Sequence, residues 1–326
     1  MAQDLSIVIV NWNSWDYAKK CLKSLREMFA QNLTYEVILI DNASAENRCM
    51  EVELEFQDLY IRVIRNSDNL GFAKACNQGI KMSASQFVLM LNPDTEVKKD
   101  AIGKSVEFMK NHPTVGALGC RLLNTDGSLQ RWTGGRFPSL SSAFNHYFFL
   151  SENSRFQGIY LSHETESPVE VDWVCGAFML LSRKAIDQVG VFNESFFMYG
   201  EDIDLCYRIK NLGWKVVYLS KAEITHHYGK SIEHANQDRY WKGLLSMSVF
   251  HELHGGSGFR RVIFDLITAA GFLIRSVLFL IQGIFTVQKK LMQQASISWK
   301  FFLGSLRILT AQPSFRTRGI TQAVVS

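Results

Sequence analysis

Proline is scarce in this chain, with five in 326 residues, and charged residues make up only 20%. Together with a hydrophobic share of 47%, that excludes a disordered or linker-dominated protein and requires a packed core. Six cysteines (21, 49, 76, 120, 175, 206) are scattered with no CxxC pair and no Cys/His metal spacing. A disulfide scaffold and a zinc module are both excluded, leaving the cysteines as small buried hydrophobes of a reducing compartment. No GxGxxG follows the first apolar run, which disfavours a dinucleotide-binding fold. No basic stretch precedes that run either, and Leu5–Val10 is too short for the apolar region of a signal peptide, so the catalytic body is expected to stay in the cytoplasm. The last absence is of acid. Residues 255–326 hold nine Lys/Arg and one acidic residue, Asp265, leaving 26 basic against 30 acidic side chains in the rest. A mildly acidic body with a basic, apolar tail argues against nucleic acid and for an anionic membrane surface.

What is present is a set of polar residues where hydrophobic strands end. Asn11-Trp12-Asn13 follows Leu5–Val10, Asp41-Asn42 follows Val37–Ile40, and Asn92-Pro93-Asp94 follows Phe87–Leu91. In an open α/β sheet, ligands sit in the crevice beyond the carboxyl ends of the strands. A strand-then-helix unit repeats through the first hundred residues at the spacing of βαβ crossovers. Strands are predicted at 6–10, 36–40, 61–64 and 86–91, and a helix at 72–82. After Ser14, Ala18, Leu22, Leu25 and Phe29 recur at helical spacing while Lys19, Lys20, Lys23 and Arg26 face out. Farther on, 124–128 reads as a hairpin turn, 169–181 as a strand, 183–190 and 201–212 as helices and 214–219 as another strand.

The chemistry follows from residue type. Asp41, at a strand end, is placed to accept hydrogen bonds from a base or a ribose, although Asp-Asn-Ala-Ser is equally good turn chemistry. Asn92-Pro93-Asp94-Thr95-Glu96 offers hard oxygen ligands, read as lying between a strand and a helix rich in Lys and Glu. Mg²⁺ or Mn²⁺ held there would neutralise a diphosphate leaving group. Glu201 and Asp202 open a helix whose dipole keeps an acid ionised, either as plain helix caps or with one serving as a base toward a hydroxyl. His226, expected after a short loop beyond strand 216–219, is either structural or the completion of a metal shell. In the tail, 262–287 is a 26-residue apolar stretch interrupted by Asp265 and Arg275. It is long enough to span a membrane, but Arg275 near its middle costs about 2.5–3.5 kcal/mol on insertion scales. Helices lying in the interface, with 299–309 as another contact, fit the charges better, with burial against the catalytic domain or a partner as the other alternative.

These pieces in this order resemble the family 2 glycosyltransferases, most closely the rhamnosyltransferase-like branch of bacterial surface-polysaccharide synthesis. The matching segments are 8–13, Asp41-Asn42-Ala43-Ser44, Asn69-Leu70-Gly71-Phe72-Ala73 with Asn77, 91–95, Trp173 to Met179, Phe192-Asn193-Glu194 through Gly200-Glu201-Asp202-Ile203-Asp204, and 226–231. The resemblance covers roughly residues 5–255. It implies an α/β GT-A fold (a Rossmann-like mixed, mostly parallel sheet flanked by helices) over 1–255, and it leaves 256–326 as a helical, membrane-associating tail. It implies an inverting transfer from a nucleotide-sugar donor, dTDP-rhamnose by preference, to a hydroxyl of a lipid-linked saccharide at the cytoplasmic face of the membrane. By that analogy Asn11, Asn13, Asp41, Asn69, Gly71 and Asn92 bind the nucleotide sugar, and Trp173 and Gly176 wall the acceptor pocket. Asp94 and His226 hold a divalent metal, Mn²⁺ or Mg²⁺, Asp202 is the catalytic base and Glu201 assists it. Asn92 stands where the wider family's metal motif has its first acid. UDP-galactofuranose, UDP-glucose or UDP-GlcNAc as donor remain alternatives, as does a catalytically inactive assembly partner, against which the intact Asp94, Glu201, Asp202 and His226 speak. A nucleotidyltransferase would need a basic, glycine-rich loop where 11–15 stands. A homo-oligomer is left open.

Overall fold

A computed structural model describes residues 3–28, 33–130, 133–150, 168–227, 236–255 and 258–310. The chain divides into two compact units. In chain order the elements begin β1 (Leu5–Asn11), α1 (Trp15–Met28), β2 (Tyr35–Asp41), α2 (Cys49–Glu55), β3 (Ile61–Arg65), α3 (Phe72–Met82), β4 (Phe87–Leu91), β5 (Thr95–Val97), α4 (Ala101–Asn111), β6 (Val115–Leu123) and β7 (Gly134–Gly135). They continue with α5 (Leu140–Tyr147), β8 (Val169–Val171), β9 (Trp173–Val174), β10 (Phe178–Ser182), α6 (Arg183–Val189), α7 (Glu201–Asn211) and β11 (Lys215–His226). The chain then closes with α8 (Asn236–His254), α9 (Gly258–Thr286) and α10 (Lys289–Thr310). All the strands, with α1–α4, α6 and α7, belong to the first unit; α5 and α8–α10 form the second.

The first unit is built on a mixed sheet in the order β3-β2-β1-β4-β10-β6-β11-β5, with β8 paired to β11. Strands β3, β2, β1 and β4 run parallel. Every residue of β1 and β4 is buried, as expected of strands covered on both faces. On α1 the apolar stripe Ala18, Leu22 and Leu25 is buried and Lys20, Lys23 and Arg26 are exposed; Phe29 lies outside the described residues. Helix α3 matches its predicted span, as do β1–β4 to within a residue or so at each end. All six cysteines are free.

Three expectations need correction. Residues 169–181 form three strands, because the chain changes partner twice: β8 pairs with β11, β9 with β7, and β10 inserts antiparallel between β4 and β6. Asp172 and the Cys175-Gly176-Ala177 segment mark the breaks. The strand expected to stop at Leu219 runs on to His226. Its polar interruption, 220–222, is a bulge in the pairing with β6, and a bulge re-aims the strand without ending it. The residues after Asp94 enter the short strand β5 before helix α4, and β11 pairs antiparallel with it, setting His226 opposite Thr95. His226 is therefore a strand residue.

In the second unit α9 pairs with α10 and with α5. Among the described residues, α9 is the one helix long and apolar enough to cross a membrane.

Candidate active site

Parallel pairing brings the carboxyl ends of the strands to one edge, with Asn11 beside Asp41 and Asp41 beside Arg65. Asp41 is fully buried. Its Oδ1 accepts from Asn11 Nδ2 at 3.2 Å and from the Ser44 hydroxyl, and Arg65 Nη1 lies 3.1 Å from its Oδ2. The Asp41 carboxylate thus fixes the rim, holding Asn11, Ser44 and Arg65 in place. Asn13 stands in the open in a left-handed conformation (φ 53°). Its side-chain oxygen accepts from the Ala45 N–H at 2.7 Å, and its own N–H donates to Ser44 Oγ at 2.8 Å. A polar recess lined by Asn13, Ser14, Trp15, Tyr17, Glu46 and Arg48 opens beside it.

Amides continue this rim. Asn42 Nδ2 donates to Asn69 Oδ1 at 2.8 Å, and the same oxygen accepts the Gly71 N–H at 3.0 Å. Gly71 then enters α3 at φ +83°, with the Phe72 N–H donating to the Phe197 carbonyl at 2.7 Å. Asn77 on the same helix ties down the 192–194 segment, donating to the Phe192 carbonyl at 2.9 Å and accepting the Phe192 N–H at 3.0 Å.

The segment 175–177 joins this half to the acids. The Gly176 N–H donates to Asp202 Oδ2 at 3.1 Å, and the Ala177 carbonyl accepts from the Asn92 N–H at 3.0 Å. A β-carbon on Gly176 would meet Phe72 Cε1 at 3.6 Å and Asp202 Oδ2 at 3.8 Å. Cys175 lies within electrostatic reach of Asp202, Glu201 and Asp94. Burial pushes its thiol well up, and those acids push it further. Gly176, Asp202 and Asn92 are thus held to one segment.

Asp202 is half-buried at the first turn of α7, where backbone dipoles favour the anion. Glu201 beside it is buried, and its Oε2 has no hydrogen-bond partner. Burial first, and then the Asp202 charge, raise the Glu201 carboxyl well above the usual range. Asp204 is buried against Arg208, whose Nε donates to it at 2.9 Å, in a structural pair.

Asp94 and His226 are both buried, with Oδ1 and Nε2 3.3 Å apart and Asn92 Nδ2 3.5 Å from the same nitrogen. Gln130 Nε2 donates to the His226 carbonyl at 2.6 Å, which leaves Gln130 Oε1 to accept from His226 Nδ1 at 2.9 Å. Nε2 is then the ring atom turned to Asp94, and an imidazole nitrogen beside a carboxylate oxygen is a pair of ligand types that suits a shared cation. Among the described residues no cluster of three or more His, Cys, Asp or Glu could hold a metal. A cation here would draw its remaining ligands from water and phosphate, the usual habit of Mg²⁺. His227 Nε2 lies 2.7 Å from Glu96 Oε1; residues 228–231 of the predicted motif lie outside the described residues.

Trp173 is buried on β9, its indole N–H donating to the Arg136 carbonyl at 2.9 Å. Sequence reasoning missed Arg65 and Gln130. A basic residue closing β3 one strand from Asp41 was a readable signal for the first. Gln130 had none, because its partner His226 lies 96 residues further along the chain.

The family model described as Glycosyl transferase family 2 matches residues 6–190. The N-acetylglucosaminyl-diphospho-decaprenol L-rhamnosyltransferase of Mycobacterium tuberculosis is 28% identical over 245 residues, covering 71% of this chain and 78% of that protein. The rhamnosyltransferase WbbL of Escherichia coli K12 is 25% identical over 227 residues, covering 68% and 82%. Among solved structures, the mannosyltransferase PcManGT from Pyrobaculum calidifontis, in complex with GDP-Man and Mn²⁺, superposes with a TM-score of 0.61 at 13% identity. It covers 95% of this chain and 88% of that one. That likeness is one of fold.

Proposed function

The chain belongs to glycosyl transferase family 2 and is a glycosyltransferase, and we propose that it moves rhamnose from dTDP-rhamnose to a hydroxyl of a lipid-linked saccharide with inversion. The observation that carries the mechanism is the convergence of Asp202, Gly176 and Asn92 on the 175–177 segment, with Asn92 and Asp94 meeting at His226 Nε2. The likeness to two rhamnosyltransferases, one of them named for a decaprenol-diphosphate-linked acceptor, supports the sugar and the acceptor class. Work in surface-polysaccharide synthesis at the cytoplasmic face of a membrane belongs to the same proposal.

The amide and carboxylate rim formed by Asn11, Asn13, Asp41, Asn69 and Gly71 receives the nucleotide, with Asp41 shaping it from below. Asp202 takes the proton of the acceptor hydroxyl. The hydroxyl oxygen bonds to the anomeric carbon as the bond to the diphosphate oxygen breaks, so configuration inverts. Glu201, held neutral, keeps negative charge at this corner to the one carboxylate that acts as base. Gly176 leaves the acceptor room beside Asp202, and Trp173 supports that wall from within. Asp94 and His226 would hold Mn²⁺ or Mg²⁺, which when bound offsets the charge of the departing diphosphate.

Asp202→Asn tests the assignment. It should lower kcat by about 10²–10⁴-fold while leaving the donor dissociation constant within about twofold. Lost donor binding with residual turnover would sink it.

A further inference from the structure

The second unit carries apolar surface that the transfer reaction leaves unused. The two charges that interrupt 262–287 both turn inward on α9. Arg261 Nη1 donates to Asp265 Oδ2 at 3.1 Å, and the Ser248 hydroxyl donates there at 3.3 Å. Arg275 Nε donates to the Tyr147 carbonyl at 2.9 Å and its Nη2 to the His146 carbonyl. Its guanidinium lies over the Phe149 ring, 4.2 Å from the centroid. The outward face of α9 is consequently uncharged from Leu266 to Phe285, a length of about 29 Å at the rise of an α-helix. Leu266, Ile274, Val277, Ile281 and Ile284 are all exposed along it, and Phe285 is 83% exposed and Val287 84%. A one-sided apolar face of this extent marks an interaction site.

The outward arc of α10 is divided lengthwise. Met292, Trp299, Leu303 and Leu306 recur at helical spacing on one side and are exposed. Lys289, Lys300 and Arg307 run beside them and are exposed too. An apolar stripe edged by cations, with Trp299 among its members, is the pattern of a helix in the interfacial plane. Spanning is a poor fit, because Lys300 lies midway along α10 and would sit exposed at hydrocarbon depth. A second copy is a poor fit as well, since it would set like charges edge to edge.

We propose that the outer face of the α9–α10 hairpin lies flat on an anionic leaflet as a monotopic docking surface, with the α9 face against the acyl chains and Lys289, Lys300 and Arg307 at the lipid phosphates. Its purpose rests on the lipid-linked acceptor reading; its test does not.

The full chain would be mixed with phosphatidylcholine vesicles, with and without roughly a third phosphatidylglycerol. Binding should favour the anionic vesicles and reverse at high salt. Lys300→Gln with Arg307→Gln should weaken it about thirtyfold, at about fivefold per charge. Ile281→Ser with Phe285→Ser should weaken it more than about tenfold. Donor hydrolysis measured on the same variants should stay at the parent level, so loss of docking and failure of the glycosyltransferase reading are told apart. Binding that resists alkaline carbonate and ignores Lys300 and Arg307 would mean a spanning helix and overturn the proposal. So would a lipid-independent dimer abolished by the Ile281/Phe285 variant, or no binding to either vesicle.

Discussion

Gly71→Ala is a substitution whose cost can be worked from the backbone. Gly71 sits at φ +83°, ψ 164°, immediately before α3, in a region that residues with a side chain rarely enter. Holding alanine there costs about 1–3 kcal/mol. The added β-carbon would also stand 2.8 Å from both Phe197 Cδ2 and the Phe197 carbonyl oxygen. That oxygen accepts the Phe72 N–H at 2.7 Å, so moving it puts a hydrogen bond worth about 0.5–1.5 kcal/mol at risk. The sum is a destabilisation of about 2–4 kcal/mol, with weaker donor binding, because Asn69 Oδ1 loses its hold on the Gly71 N–H. Gly103→Ala is the internal control. Gly103 is exposed in the first turn of α4, and a β-carbon there meets nothing within 4 Å, so that change should stabilise by about 0.5–1 kcal/mol. Urea unfolding of both variants, alongside donor titration, reads the contrast. A Gly71→Ala protein within about 0.5 kcal/mol of the parent would refute the backbone geometry on which the donor rim is built.

Two further outcomes are expected. Glu201 keeps a proton in the folded state that the unfolded chain gives up, so the parent loses stability as pH rises from the ordinary glutamate range toward the raised value. Glu201→Gln, which mimics the neutral acid, should flatten that decline above the ordinary glutamate range, as read from urea midpoints; an unchanged slope would contradict the buried neutral acid. Gln130→Ala removes two hydrogen bonds to His226, one to its carbonyl and one to its ring. The Mn²⁺ concentration needed for half-maximal transfer should rise about 10–100-fold in a folded protein, and an unmoved titration would take Gln130 out of that role.

Much of the first unit was readable because its strands are continuous apolar runs punctuated by polar ends, and because α3 begins and ends on clear signals. The polar rim was readable for the same reason: parallel pairing forces Asn11, Asp41 and the residues after Leu91 to one edge. What escaped was non-local. Nothing in 169–181 announces three partners, since Val, Trp, Phe and Leu suit each of them. The polar run 220–222 looks like a strand end, and a bulge cannot be told from a terminus without the neighbouring strand. That misreading took His226 off its strand. Arg275 misled in a different way. As a letter in an apolar run it argues against a spanning helix, whereas in the fold it is bound inside by α5 carbonyls, and the lipid-facing question passes to Lys300.

The most direct test of the central claim is donor binding and hydrolysis across dTDP-rhamnose, UDP-galactofuranose, UDP-glucose, UDP-GlcNAc and GDP-mannose, each with Mn²⁺, Mg²⁺ or a chelator. The account predicts selective, metal-dependent use of dTDP-rhamnose. Selection of another sugar would contradict the rhamnosyl assignment while keeping the glycosyltransferase, and a folded protein that binds none of them would contradict the site itself.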